Sequence, residues 1–206
     1  MSVSRIARAL ACAGVLAVRV SAAHADAMDD GVAAMERGDF PAAIALWQPL
    51  AERGSVRAQF ALGFVYYGAG PVRDYAAAAR WFRAAAEQGD ADAQDRLGML
   101  YSLGRGVPQD TAEEFKWYAA AAAQSHPAAQ FRLGYMYANA RGVARDDIEA
   151  FKWYRLAAAQ TSDPETRDAA NKAQTALAAT LTREQLREGN RRAHDWRGTP
   201  ARAPRR

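Results

Sequence analysis

The chain is poor in the residues that most often carry catalysis or bind metals. Its one cysteine is Cys12, and only two of its three histidines, His126 and His194, follow residue 25. These two histidines stand far apart in the sequence, so we expect neither of them to bind a metal or act as a general base. A Ser-x-x-Lys motif and a nucleotide-binding glycine loop are also absent. The sequence therefore predicts a protein that is not an enzyme and needs no cofactor.

The sequence also lacks an apolar run of the length that a membrane-spanning helix needs, about 20 residues. The apolar run Ala9–Val18 is shorter, follows two arginines and precedes a small-x-small site that ends at Ala25. This order is typical of a secretory signal peptide, which we assign to residues 1–25. It predicts a periplasmic or secreted protein cleaved after Ala25, with an uncleaved anchor as the alternative.

Charge is unevenly distributed along the chain. The formal net charge is +4, but residues 1–25 contribute three arginines and residues 183–206 contribute eight arginines against three acids. Residues 26–182 therefore hold 16 basic and 20 acidic side chains, a net charge of −4. A basic end on an acidic body suggests contact of that end with an anionic envelope surface. Nucleic acid is not expected as a partner, because Trp196 is the only aromatic residue among those arginines.

One sequence pattern occurs three times in the middle of the chain. Each copy begins with A-x-x-x-L-G-x-x-Y, continues through a loop to an aspartate, and ends with a Trp-aromatic pair, alanines and a glutamine. The aspartates and the tryptophans recur every 36 residues, and the glycines after 35 and 36. A fixed period of this size is typical of a solenoid, whose units bury their apolar faces only by stacking. The repeated positions are Gly63, Gly98 and Gly134, then Asp74, Asp110 and Asp146, then Trp81, Trp117 and Trp153.

The pattern resembles Sel1-like repeats, which are relatives of the tetratricopeptide repeats. The resemblance implies an all-α fold, a right-handed α-solenoid of antiparallel helix pairs, and three full repeats over residues 56–162. We call the two helices of each repeat helix A and helix B. Helices A are expected at about 56–67, 91–102 and 127–138, and helices B at about 75–88, 111–124 and 147–160.

The rest of the chain fits around these repeats. Residues 26–55 are predicted to form a divergent tetratricopeptide-like first unit, with Gly31 in the place of the helix-A glycine and Trp47 in register with Tyr118. Residues 163–196 should form closing helices over the last repeat, because one end of such a stack meets water. Residues 197–206 are predicted to be a disordered basic tail.

Each repeated residue type has its own physical reason. A glycine inside a helix costs about 1 kcal/mol relative to alanine, so the repeated glycine predicts close approach of a neighbouring helix backbone. The aspartates should be N-caps of helices B, and Glu113 and Glu149 should complete capping boxes. For the Trp-aromatic pairs we favour core packing over a platform that stacks sugars or bases.

The resemblance also implies a binding surface, because helix A lines the concave groove of tetratricopeptide-like stacks. Its aromatic members would form an exposed patch of the kind found at recognition sites. The alternative is that terminal helices or the stacking itself cover these positions. The predicted groove residues are Arg57, Phe60, Phe64, Tyr67, Asp92, Asp95, Met99, Ser102, Phe131 and Tyr135.

The sequence thus predicts an exported scaffold that binds a protein or peptide partner in this groove, in an undetermined oligomeric state. Two alternatives remain. Some exported relatives are described as β-lactam-binding or β-lactam-hydrolysing, but they are rich in cysteine, and this chain has none after residue 25. The other alternative is a cell-envelope binder that acts through the basic tail.

Overall fold

A computed structural model describes residues 26–68 and 70–198, and these residues form ten helices and no strand. The helices pack as sequential pairs, so the predicted all-α repeat fold is confirmed. None of the described helices is both long and apolar enough to span a membrane. The predicted signal peptide and nearly all of the predicted tail lie outside the described residues. The chain divides into two compact units at residue 73.

The first unit contains α1 (residues 26–36), α2 (Phe40–Glu52) and α3 (Val56–Tyr67). Trp47 of α2 is buried, and its indole Nε1 donates a hydrogen bond to the Met28 carbonyl oxygen at 3.2 Å. A Cβ atom on Gly31 would lie only 2.1 Å from Nε1 of this indole. Gly31 therefore makes room for an aromatic side chain of the next helix, as Gly98 and Gly134 do in the full repeats.

The second unit contains seven helices in the described part of the chain. Each helix from α4 to α8 packs against the next, α9 lies against α8 and α7, and α10 folds back onto α8. The predicted bounds of helices A and B agree with the structure to within about one residue, and the two closing helices lie within the predicted range 163–196. The helices are α4 (Tyr75–Glu87), α5 (Ala91–Leu103), α6 (Thr111–Ala123), α7 (Pro127–Ala138), α8 (Asp147–Gln160), α9 (Pro164–Ala178) and α10 (Arg183–Asp195).

The predicted aspartate caps are present at the helices B. Asp110 Oδ1 accepts from the backbone N–H groups of Ala112 and Glu113 at 2.9 and 3.1 Å, and Asp74 and Asp146 do the same for their helices. The predicted capping boxes are wrong at both Glu113 and Glu149. The Glu113 carboxylate instead accepts from Lys116 Nζ at 2.7 Å and from Trp117 Nε1 at 2.9 Å, and the Glu149 carboxylate accepts from Lys152 and Arg192. A buried indole N–H needs a hydrogen-bond acceptor, and the Glu113 carboxylate is the acceptor for Trp117.

Two of the helix-A glycines face aromatic rings of helix B. A Cβ atom on Gly98 would lie 2.8 Å from the ring of Tyr118, and one on Gly134 would lie 2.9 Å from the ring of Tyr154. The expected close approach is therefore real at these two positions, but the nearest neighbour is a ring rather than a backbone. At Gly134 the three nearest atoms also include a backbone atom, the Ala150 carbonyl oxygen at 3.2 Å.

The core of the second unit runs between helices A and B, where the Trp-aromatic pairs of α6 and α8 are buried as predicted. Alanines at zero exposure let the helices approach closely, and larger side chains fill the space between them. One continuous cluster of these side chains joins α6, α7 and α8. Its large members are Tyr118, Leu133, Met136, Trp153 and Leu156.

A glutamine in each helix A closes the end of the preceding helix B. Gln94 Nε2 donates to the Ala86 carbonyl oxygen at 3.1 Å, and Gln130 Nε2 donates to that of Ala122 at 3.3 Å. The last carbonyls of a helix have no partner within it, so a buried helix end needs such a donor. This requirement explains why Ala-Gln recurs at the start of every repeat.

Candidate functional site

The second unit presents one side of its helices A to solvent, which we call the helix-A face. On α5 it consists of Asp92, Met99 and Leu103, which are spaced so that they share one side of a helix. On α7 it continues with Tyr135 and Asn139, the positions equivalent to Met99 and Leu103. Leu103 and Tyr135 are each 50% exposed, which is high for large apolar side chains. This face is the surface feature that most resembles a recognition site.

The predicted groove residues divide by exposure. Four of them are exposed, five are half-buried and one is buried. Arg57 and Phe64 are exposed in the first unit, where Phe64 is 44% accessible. The exposed members are Arg57, Phe64, Asp92 and Tyr135, and the half-buried ones are Phe60, Tyr67, Met99, Ser102 and Phe131.

Asp95 does not belong to an exposed surface, and its prediction as a groove residue is wrong. Its side chain is buried at 4% exposure, and it accepts a hydrogen bond from the Arg132 guanidinium of α7. Ser102 is turned partly inward, because its hydroxyl oxygen accepts from Arg141 Nη2 at 3.2 Å. The Phe131 ring lies 5.5 Å from the ring of Tyr154. Stacking of the repeats therefore covers part of the predicted surface, as the alternative held.

Two residues of the exposed side were missed in the sequence. Arg96 and Leu103 follow Asp92 by four and eleven residues, and this spacing places them on the same side of α5 as Met99. The prediction used Asp95 and Ser102 instead, each one residue away. The helical period counted from Asp92 places Arg96 and Leu103, rather than Asp95 and Ser102, on the same side of α5.

Buried ion pairs connect consecutive repeats next to this face. The Asp95–Arg132 pair joins α5 to α7, and Arg141 Nε donates to Glu114 Oε2 of α6 at 2.9 Å. The Arg132 guanidinium also lies 5.5 Å from the centre of the Tyr118 ring. Burial raises the pKa of the Tyr118 hydroxyl, because the anion would be poorly solvated there. These ion pairs therefore link consecutive repeats.

His126 is placed at a helix start, as predicted. It is the N-cap of α7, where Nδ1 accepts from the Ala129 backbone N–H at 3.2 Å. Its Nε2 lies 3.1 Å from Asp92 Oδ1, and this hydrogen bond is the main reason that the pKa of Asp92 is lowered. Among residues 26–68 and 70–198, no cluster of three or more His, Cys, Asp or Glu side chains could hold a metal.

Two arginines of α10 are matched by acids. Arg192 donates to Glu149 Oε1 at 2.8 Å and to Glu188 Oε1 at 2.7 Å, and Arg191 also contacts Glu188. The hydrogen bonds from these two arginines lower the pKa of Glu188, and the larger contribution comes from Arg192. An open depression of about 550 Å³ lies between α10 and Ile148 of α8, and its α10 lining is polar or charged throughout. Arg191 and Arg192 are therefore not free cationic groups.

The docking of α10 also changes the last repeat. In the preceding repeat, Glu113 accepts from the indole of Trp117. The equivalent Glu149 is engaged by Lys152 and Arg192, and Trp153 Nε1 is buried without a hydrogen-bond partner among the described residues.

Fold and site together define a helical repeat scaffold. The Sel1 repeat family model matches residues 20–55, 56–90, 91–126 and 127–162. These four matches cover more than half of the chain, so the protein belongs to the Sel1 repeat family. The divergent first unit, predicted to be tetratricopeptide-like, is included as a Sel1 repeat.

Several solved structures resemble the chain, and two of them illustrate the likeness. One is a protective antigen of uropathogenic Escherichia coli strains that displays an SLR fold, with a TM-score of 0.68 and 30% identity over 76% of this chain. The chain covers only 32% of that protein. The other is a Sel1 repeat protein from Oxalobacter formigenes, with a TM-score of 0.61, 26% identity, and coverage of 77% of this chain and 72% of that one. No curated protein gave a significant match.

Proposed function

We propose that this Sel1 repeat protein is an exported, non-enzymatic scaffold that binds a protein or peptide segment on its helix-A face. The observation that carries the proposal is the half exposure of Tyr135, beside Met99 and Leu103 on the adjacent helix A. Large apolar side chains that remain accessible in a row are the usual anchors of interfaces, where tyrosine is enriched. Arg96 and Asp92 on the same side of α5 would supply polar contacts around the anchors.

The repeat itself supports this choice of residues. The position that follows the helix-A glycine is Phe64, Met99 and Tyr135 in successive repeats, and each side chain is large, apolar and at least partly exposed. At Gly98 and Gly134 the missing side chain leaves room for a ring of helix B. The residue that follows is not confined to the core, since Tyr135 is half exposed and Met99 packs only partly against the core cluster. The exposed part of these side chains would be available to a partner.

A site-specific photo-crosslinking experiment tests the proposal. We expect a crosslinker at Tyr135 to capture a periplasmic partner, and the variant Met99→Ala/Leu103→Ala to reduce capture by roughly tenfold, about 1.4 kcal/mol of binding free energy. The matched control changes two exposed residues of helices B, Lys116→Ala and Arg155→Ala, and should leave capture unchanged. Equal capture from Tyr135 and from a crosslinker at Arg155 would contradict a specific role for the helix-A face.

Export is a separate part of the proposal and has its own test. The apolar run before Ala25 supports it, since that order is typical of secretory signals. Mass measurement of the protein recovered from a bacterial periplasm should give a chain that begins at Asp26. Recovery of the uncut chain from the cytoplasm would contradict this part and leave the scaffold role unaffected.

The two alternatives gain no specific support from the described residues. A β-lactam enzyme would need a nucleophile with an activating base. Turnover of a chromogenic β-lactam above that of a heat-treated control would support this alternative. Envelope binding through the basic end is weakened as a candidate, because two of the eight arginines of residues 183–206, Arg191 and Arg192, are paired with acids.

A further inference from the structure

The N-cap of α7 differs in chemistry from those of the other helices A. Ser55 caps α3 and Asp90 caps α5, and in each case a side-chain oxygen accepts from the third backbone N–H of the helix. In α7 the same task falls to His126 Nδ1, which accepts from Ala129 N–H. An imidazole nitrogen accepts only while it carries no proton, so this cap depends on the charge state of the ring.

The second contact of the ring fixes its tautomer. Nε2 of His126 lies 3.1 Å from Asp92 Oδ1, and an ionised carboxylate can only accept a hydrogen bond. The proton of the neutral ring is therefore on Nε2, and Nδ1 is free to cap the helix. One neutral side chain thus holds the first turn of α7 and links α7 to α5 at the same time.

Addition of a proton to this ring has opposite effects on the two contacts. Nδ1 would become a donor facing the Ala129 N–H, and two donors cannot bond. The positive ring would also be repelled by the positive end of the α7 dipole. The bond from Nε2 to Asp92 would instead become charge-assisted on both sides, and such bonds are shorter and stronger.

The charged groups around the ring support retention of the Asp92 contact. Asp90 and Asp92 lie at the start of α5, and their negative charges attract a positive ring. After the hydrogen bond from His126, the positive charge of Arg96 in the next turn also lowers the pKa of Asp92. The pKa of Asp90 is raised by burial, so this carboxylate is the more readily protonated of the two. The turn before α7 contributes Ser125, which is uncharged and has a strained φ of 67°. This strained turn would therefore do little to hold the first turn of α7 in place once the cap is lost.

We propose that His126 is a pH-sensitive cap, which on gaining a proton releases the first turn of α7 while it keeps that helix bound to α5 through Asp92. Histidine is the residue whose charge ordinarily changes between pH 5 and 8. The released turn lies at the end of the helix that carries Phe131 and Tyr135. The inference rests on the geometry at His126 and does not depend on the proposed function.

Amide hydrogen exchange of the full chain, followed by NMR together with the His126 ring resonances, tests the device. After correction for the intrinsic exchange rate, protection of the Ala129 amide should fall roughly fivefold as the ring is protonated, with the same midpoint as the ring. The amide of Ala58, capped by the uncharged Ser55, is the internal control. Protection of Ala129 that stays constant while the ring titrates would overturn the proposal.

Two variants separate the cap from its surroundings. His126→Ser reproduces the cap of α3 and should keep Ala129 protected across the whole range. Asp92→Asn retains an acceptor without charge, so the Ala129 step should persist with its midpoint moved to lower pH. A pH step of Ala129 that survives in His126→Ser would assign the effect to Asp90 or Asp92 and would also overturn the proposal.

Discussion

The guanidinium of Arg132 on α7 donates to the buried carboxylate of Asp95 on α5, one repeat earlier. The Asp95 side chain is almost fully enclosed, while Arg132 keeps about a third of its side-chain surface. A carboxylate in such a place is tolerated only because it is paired, since an unpaired buried charge is strongly unfavourable. The pair therefore fixes how two consecutive helices A meet and keeps that junction polar.

Removal of one partner should expose this dependence. We expect Arg132→Met to lower the free energy of unfolding by about 3 kcal/mol, because the Asp95 carboxylate loses its counter-ion in the interior. The double variant Asp95→Leu/Arg132→Met should recover most of the loss, since apolar replacement of both partners leaves no unpaired charge. Urea unfolding measures both, with the exposed Arg155→Met as the control. A single variant within about 0.5 kcal/mol of the wild type would show that water reaches the carboxylate.

Backbone strain gives a second prediction, at the loop after α7. Ala140 has a φ of 52°, whereas the equivalent residue after α5 is Gly104 with a φ of 64°. Left-handed backbone costs a residue with a Cβ atom roughly 1–2 kcal/mol, and part of this is offset by the larger entropy of glycine in the unfolded chain. Ala140→Gly should therefore raise stability by about 0.5–1 kcal/mol.

Thermal unfolding checks this prediction, and the chain provides its reverse. Gly104→Ala should lower stability by a similar amount. If Ala140→Gly lowers the unfolding temperature, strain in this loop does not limit stability.

The sequence predicts the fold well because the repeat unit contains its own helix signals. Asp110 is followed by the alanines and aromatic residues of a helix B, and it caps that helix as expected. The sequence prediction fails where a side chain forms a hydrogen bond or ion pair with a residue outside its own motif. Glu113 was assigned to a capping box, but the buried indole of Trp117 takes its oxygen. Asp95 was assigned to the groove, but its partner Arg132 lies 37 residues later.

The helix-A face could be predicted only in outline, for a related reason. Helical spacing identifies one side of α5, but a shift of one residue exchanges the buried Asp95 for the half-buried Arg96. Which of the two faces inward depends on contact with α7, and no pattern within a single repeat contains that information.

Alkaline unfolding provides a prediction from the buried tyrosines. Burial raises the pKa of Tyr154 to about 12, from an ordinary value of about 10. The folded state thus favours the neutral phenol, and its contribution to stability is complete below pH of about 10 and is lost as the pH rises towards 12. Ultraviolet titration should show some of the eight tyrosines ionising only as helicity is lost.

The variant Tyr154→Phe isolates this effect, because phenylalanine cannot ionise. Its stability should fall less between pH 10 and 12 than that of the wild type. Ionisation of all tyrosines near pH 10 with the helices intact would contradict the assignment.

The helix-A glycines give the last prediction, since two of them differ in what a side chain would meet. At Gly98 the three atoms nearest to an added Cβ atom all belong to the Tyr118 ring, the closest of them at 2.8 Å. At Gly134 it would approach the Tyr154 ring at 2.9 Å and also the Ala150 carbonyl oxygen at 3.2 Å. A ring can turn or shift with its side chain, whereas a backbone carbonyl moves only if α8 moves.

Gly134→Ala should therefore lower the free energy of unfolding by about 3 kcal/mol, and Gly98→Ala by about 1–2 kcal/mol. Both losses are expected although the helix propensity of alanine exceeds that of glycine by about 1 kcal/mol. A smaller side chain in place of the ring should rescue the two sites unequally. Gly98→Ala/Tyr118→Leu should show strong coupling in a double-mutant cycle, because the ring atoms lie nearest to the added methyl group. Gly134→Ala/Tyr154→Leu should show weaker coupling, because the Ala150 carbonyl remains. Equal coupling at both sites would contradict this prediction, because it would mean that helix α8 shifts as readily as an aromatic side chain.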